Sequence, residues 1–115
     1  MTLEEAAVRL QIDLDAALDR VVNNRELYIR LLKAIITETD MQQMENFRQE
    51  KDYVSLEDAV HSLKGSAGSL GITGLAQTAD ALVQTIRKKQ YENIEHLFGT
   101  LQEEYEQLCV TAQQL

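Results

Sequence analysis

The sequence predicts an all-α fold, an antiparallel four-helix bundle with additional short helices at its N-terminus. Three observations carry that prediction. Apolar residues recur at three- and four-residue steps nearly throughout, and no stretch alternates in the manner of a half-buried strand. Proline is absent and glycine occurs five times, so little in the chain interrupts a helix. Four long amphipathic segments succeed one another with short connections, the pattern by which antiparallel helices share one core.

The first short helix is expected from Thr2 to Gln11, where Thr2 caps and Glu5 completes a capping box. A second runs from Asp13 to Val22, with Leu14, Leu18 and Val21 on one side; Asn23 and Asn24 then turn the chain and cap the next helix. The two would cover one side of the bundle. The first long helix spans Arg25 to Gln49 on a stripe of Leu27/Tyr28, Leu31/Leu32 and Ile35/Ile36. Its pattern weakens after Thr37, and Thr39–Asp40 is a place to kink or break because both residues disfavour a helix interior. Lys51 to Val54 reads as a polar link with Tyr53 as a packing residue. Ser55 starts the next helix on Leu56, Ala59/Val60, Leu63, Ala67 and Leu70, and Gly71 ends it. Thr73 caps a third long helix with Leu75, Ala79, Leu82 and Ile86 inward; Arg87-Lys88-Lys89 at its end suit the helix dipole. The last helix runs from Tyr91 to Ala112 on Ile94, Leu97/Phe98, Leu101, Tyr105 and Leu108.

Composition narrows the function classes. A length of 115 residues fits one domain, 1–115, and with no tryptophan and 5% aromatic residues the core must be mainly aliphatic. One cysteine, Cys109, excludes an intrachain disulfide and suits a reducing compartment, so a cytoplasmic location is expected. Glu4 and Glu5 do not suit a signal peptide, and no apolar run approaches the ~20 residues that span a bilayer, so no membrane is expected. A formal net charge of −8 opposes nucleic acid as a partner.

The chemistry concentrates at His61-Ser-Leu-Lys64-Gly65-Ser-Ala-Gly68-Ser-Leu-Gly71. On a helical wheel Leu56, Val60, Leu63, Ala67 and Leu70 point one way. Glu57, His61, Lys64, Gly65 and Gly68 point another, roughly 120° away at 100° per residue. His61 therefore belongs to the flank or the open face. Each interior glycine costs about 1 kcal/mol relative to alanine, yet both lie on the histidine's own stripe. Their missing side chains clear space for a bulky group or another protein beside the imidazole. Lys64, one turn on, puts a mobile cation where a phosphoryl oxygen would lie. Histidine, with an ordinary pKa of about 6.5, keeps an unprotonated nitrogen at neutral pH. Each residue alone has a plain explanation as exposed histidine, solvated lysine or close-packing glycine. Their alignment on one stripe points to one site.

The segment 61–71 resembles the signature of histidine-containing phosphotransfer (HPt) domains. Leu18-Asp-Arg20 and Glu26-Leu27-Tyr28 with Leu31-Leu32 look like that family's opening helices, and the likeness continues through Leu75 and Ala79 to Leu82. The resemblance implies a four-helix bundle in which His61 accepts a phosphoryl group from a receiver-domain aspartate and passes it to another receiver. It implies that Lys64 stabilises the group, that Gly65 and Gly68 give access, and that Arg87 stands where some relatives carry a basic residue. The implied partners are response-regulator receiver domains and a hybrid sensor histidine kinase. The chain itself would be a monomeric carrier without cofactor, Mg²⁺ being supplied by the receiver. Several relatives hydrogen-bond the imidazole with a Gln or Glu where this chain has Val83; either Gln84 or Asp80 must then serve, or His61 is oriented differently.

Other candidates read more simply. Glu57 and Asp58 are taken as solvated, and no nucleotide-binding glycine loop occurs. His96 near Glu92 and Glu95 reads as a surface histidine, because di-iron bundles need Glu-x-x-His on two helices. Cys109, Met41 and Met44 read as packing residues. A helical interaction module that binds receivers without being phosphorylated is the alternative in another class, and a metal-dependent helical enzyme falls short on ligands.

Overall fold

The structure, a computed structural model, describes residues 1–115. It consists of seven α-helices: α1 (Leu3–Leu10), α2 (Leu14–Arg20), α3 (Arg25–Glu38), α4 (Met41–Gln49), α5 (Tyr53–Ser69), α6 (Thr73–Arg87) and α7 (Ile94–Ala112). One 3₁₀ turn, Tyr91–Asn93, leads into α7. α5 packs on α6, α6 on α7, α7 on α3, and α3 and α4 on α5, so these elements close a ring around one core. α1 lies against α7 and α2 against α3. No helix is long and apolar enough to cross a membrane.

The expected stripes are the buried ones. α5 contributes Leu56, Val60, Leu63 and Ala67, α6 contributes Leu75, Ala79, Leu82 and Ile86, and α7 contributes Ile94, Phe98, Leu101 and Leu108. Each such Leu or Val contributes about 1.5–3 kcal/mol on leaving water. Met44 joins this core and Met41 packs beside it. Leu31 is an exception, exposed on α3.

The segment 25–49 breaks at Thr39–Asp40, the place the sequence offers for it, and three other boundaries differ from expectation, two of them because a polar side chain engages a backbone group. Thr39 is extended, and the Asp40 carboxylate accepts from the Gln43 N–H at 2.9 Å, starting α4 afresh. α5 begins at Tyr53, capped by Asp52, which accepts from the Ser55 N–H at 3.2 Å. The Tyr53 ring stacks on Tyr91 at 4.4 Å. Thr73 does not cap α6; its hydroxyl donates to the Gln11 carbonyl at 2.6 Å. The last helix gains regular α geometry only after the 3₁₀ turn. The capping box of Thr2 and Glu5 and the Asn24 cap of α3 form as expected.

Several contacts hold α5 in place. Gly71 has φ +71°, and a Cβ there would stand 3.1 Å from the Asp13 carbonyl, so only glycine lets the α5–α6 turn close against α2. The buried Tyr28 hydroxyl donates to the Leu70 carbonyl at 2.6 Å. Arg20 donates to the Gly68 and Ser69 carbonyls at 2.9 and 2.7 Å. The carbonyls that a helix end leaves unpaired are thus met from α2 and α3. On the other side Arg48 of α4 bonds Glu95 at 2.8 Å and lies over the Phe98 ring, tying α4 to α7.

Candidate functional site

α5 is amphipathic because its apolar residues recur at helical spacing; burying Leu56, Val60, Leu63 and Ala67 turns the opposite stripe outward. His61 is exposed on that stripe, with Gly65 and Gly68 exposed beyond it. A Cβ added at Gly65 or Gly68 meets nothing within 4 Å, so neither glycine is required for close packing between helices. Both leave the surface beside the imidazole bare.

Two ion pairs join this stripe to α6. Lys64 Nζ lies 2.9 Å from Asp80 Oδ1, and the Arg87 guanidinium bonds the Glu57 carboxylate. Glu57 stands about 6 Å along the helix axis before His61 and Lys64 about 4.5 Å after it, at 1.5 Å per residue. The histidine is therefore flanked by one pair on each side. The hydrogen bond from Lys64 holds the Asp80 carboxyl below the usual carboxylate range; the Gln84 amide and the charge of Arg87 act in the same direction. Glu57 is not a free solvated carboxylate, as its isolated place on the helix suggested. It is half-buried because α6 brings Arg87 to it.

His61, Lys64, Gly65, Gly68 and Arg87 all belong to this region, as the sequence implied, but the partners of the two cations are not evident from sequence. There Asp80 is a candidate only for the imidazole. In the structure neither Asp80 nor Gln84 hydrogen-bonds His61; Asp80 goes to Lys64. Val83 is fully buried among the core residues. The signal that could have found the pairs is a matched spacing: 57, 61 and 64 on α5 and 80, 84 and 87 on α6 each form one helical stripe. Arg20 carries no such signal, since its partners are backbone carbonyls.

Elsewhere, His96 is exposed on α7, while Glu95 is engaged by Arg48. No group of three or more His, Cys, Asp or Glu side chains is arranged to hold a metal. Cys109 is half-buried beside Tyr105.

No curated protein and no solved structure matches the chain. The family of Hpt domains matches residues 36–111, from the end of α3 through α7, a span that contains His61 and both ion pairs. The likeness read in α2 and the start of α3 lies outside the matched span. An exposed histidine on a glycine-cleared stripe, within a helical fold matched over most of its length, places the chain in the Hpt domain family, the phosphocarrier modules of phosphorelays.

Proposed function

We propose that the chain, as a single domain, carries a phosphoryl group on His61, accepting it from the aspartate of one receiver domain and giving it to another. The observation that supports this most is the open face around His61, bare at Gly65 and Gly68 and bordered by the cations of Lys64 and Arg87. In the transfer, an unprotonated imidazole nitrogen attacks phosphorus and the N–P bond forms. The P–O bond to the receiver breaks, and the aspartate leaves as a carboxylate with the electron pair. The proton on the other imidazole nitrogen passes to solvent. Lys64 and Arg87 border the place where the charge of the transferred group comes to lie. The Mg²⁺ used in such transfers belongs to the receiver in this reading. In this chain no three or more His, Cys, Asp or Glu side chains cluster as a metal site would need them to.

In the same reading the fold is an antiparallel four-helix bundle with α3 and α4 as one interrupted arm. The ion pairs support it for α5 and α6, since residue 57 meets 87 while 64 meets 80, opposite orders along the two helices. The partners are response-regulator receivers and a hybrid sensor histidine kinase, the location is cytoplasmic, and the carrier acts as a monomer without a cofactor of its own.

The test is transfer of acid-labile label from a panel of phosphorylated receivers with Mg²⁺ to wild type and to His61→Gln. Label on wild type alone is expected. Receiver binding with no label on either would replace the carrier with a silent interaction module.

A further inference from the structure

The charges around His61 cancel. Glu57 and Asp80 oppose Lys64 and Arg87, so the resting site has two cations, two carboxylates and no net positive charge. The chain as a whole carries a formal charge of −8. An incoming phosphoryl group, close to doubly negative, meets no unpaired cation on this stripe. Something must be exchanged before a cation can face it.

The two pairs differ in how readily they exchange. Glu57 is the more sheltered partner of its pair, at 25% exposure, and its guanidinium is held by a directional hydrogen bond from Nε. Lys64 and Asp80 are 36% and 47% exposed, and lysine meets its partner as a point charge on a flexible stem. An exposed pair of this kind is weak enough for a more highly charged neighbour to break. Lys64 is also the cation one turn beyond His61 on the same helix.

We propose that Asp80 is a positioning residue that competes with the phosphoryl group for Lys64. The resting protein holds Lys64 on the Asp80 carboxylate, and phosphorylation of His61 exchanges that carboxylate for a phosphoryl oxygen. No covalent bond other than the N–P and P–O bonds of the transfer is involved. Asp80 thereby lowers the stability of phosphorylated His61 and keeps the group easy to pass on. The inference rests on the carrier reading of His61 and adds the residue that sets its transfer equilibrium.

The experiment is the equilibrium distribution of phosphoryl between one receiver and this protein, with Mg²⁺, for wild type, Asp80→Asn, Lys64→Ala and the double variant. Asp80→Asn should shift the distribution toward His61 by roughly 2- to 5-fold, the range of a part-exposed charge pair. The shift should shrink as salt is raised and vanish in the Lys64→Ala background. A merely structural role would not depend on Lys64, and thermal melts of all four proteins report folding separately. An unchanged distribution in Asp80→Asn, or an equal shift with and without Lys64, overturns the inference while leaving His61 as carrier. No label on wild type overturns the carrier reading, and this inference with it.

Discussion

Replacing the two stripe glycines should make the protein more stable and less able to transfer. Both lie inside α5, where glycine is about 0.5–1 kcal/mol worse than alanine. A Cβ at either position meets nothing within 4 Å, so no clash offsets the gain. Gly65→Ala with Gly68→Ala should add about 1–2 kcal/mol in total. Unfolding entropy near 2.1 cal/mol/K per residue gives about 0.24 kcal/mol/K for 115 residues. The double variant should thus melt about 4–8 °C above wild type by circular dichroism. Transfer should move the other way, because each new side chain stands where the receiver must approach, and small misplacements of reacting groups cost up to about 100-fold. Gly65 is one turn from His61 and Gly68 two, so Gly65→Ala should slow transfer more, and Gly65→Gln more still. If the alanine variants melt below wild type, open space was not what the glycines left. If Gly65→Gln transfers at the wild-type rate, the stripe is not the docking face.

Other consequences are simpler to measure. Tyr28→Phe removes the buried bond to the Leu70 carbonyl and should lower stability by about 1–3 kcal/mol in urea titrations. Burial pushes Tyr28 up to about 12 from 10.0, so its contribution is intact below pH 10 and is lost as pH climbs from 10 to 12; Tyr28→Phe should flatten that alkaline decline. Burial also raises the Glu104 carboxyl, against the opposing bond from the Thr78 hydroxyl. A raised carboxyl contributes stability below its ordinary value near 4.5 and loses it as pH rises, so Glu104→Gln should raise the urea midpoint at pH 7 and match wild type near pH 4. Arg87→Ala breaks a part-exposed pair and should change stability by about 1 kcal/mol or less, which thermal melts check, so a larger loss of transfer is a site effect.

The helices are legible in the sequence because their evidence is local. A stripe such as Leu56, Val60, Leu63, Ala67 and Leu70 needs only the helical period to be seen, and it fixes at once that His61 faces outward. The capping box at Thr2 is legible for the same reason, with both partners three residues apart. Partners distant in sequence decide the features that are not legible. Thr73 has the residue type of a cap, but Gln11, 62 positions away, takes its hydroxyl. Lys64 looks like a free cation because Asp80 reaches it only after α5 and α6 have packed. Glu57 looks solvated until Arg87 arrives from the far end of α6. The break at Thr39–Asp40 is visible as a weakness in the pattern. Its completion depends on Asp40 capping α4 in place of continuing α3.

His61 as the phosphoryl acceptor is tested most directly by mapping acid-labile phosphate on the protein after exchange with a phosphorylated receiver, comparing wild type, His61→Gln and His96→Gln. One phosphoryl group per chain on wild type and on His96→Gln, with none on His61→Gln, is the predicted result. Label retained by His61→Gln and lost from His96→Gln would move the site to α7 and contradict the assignment of His61.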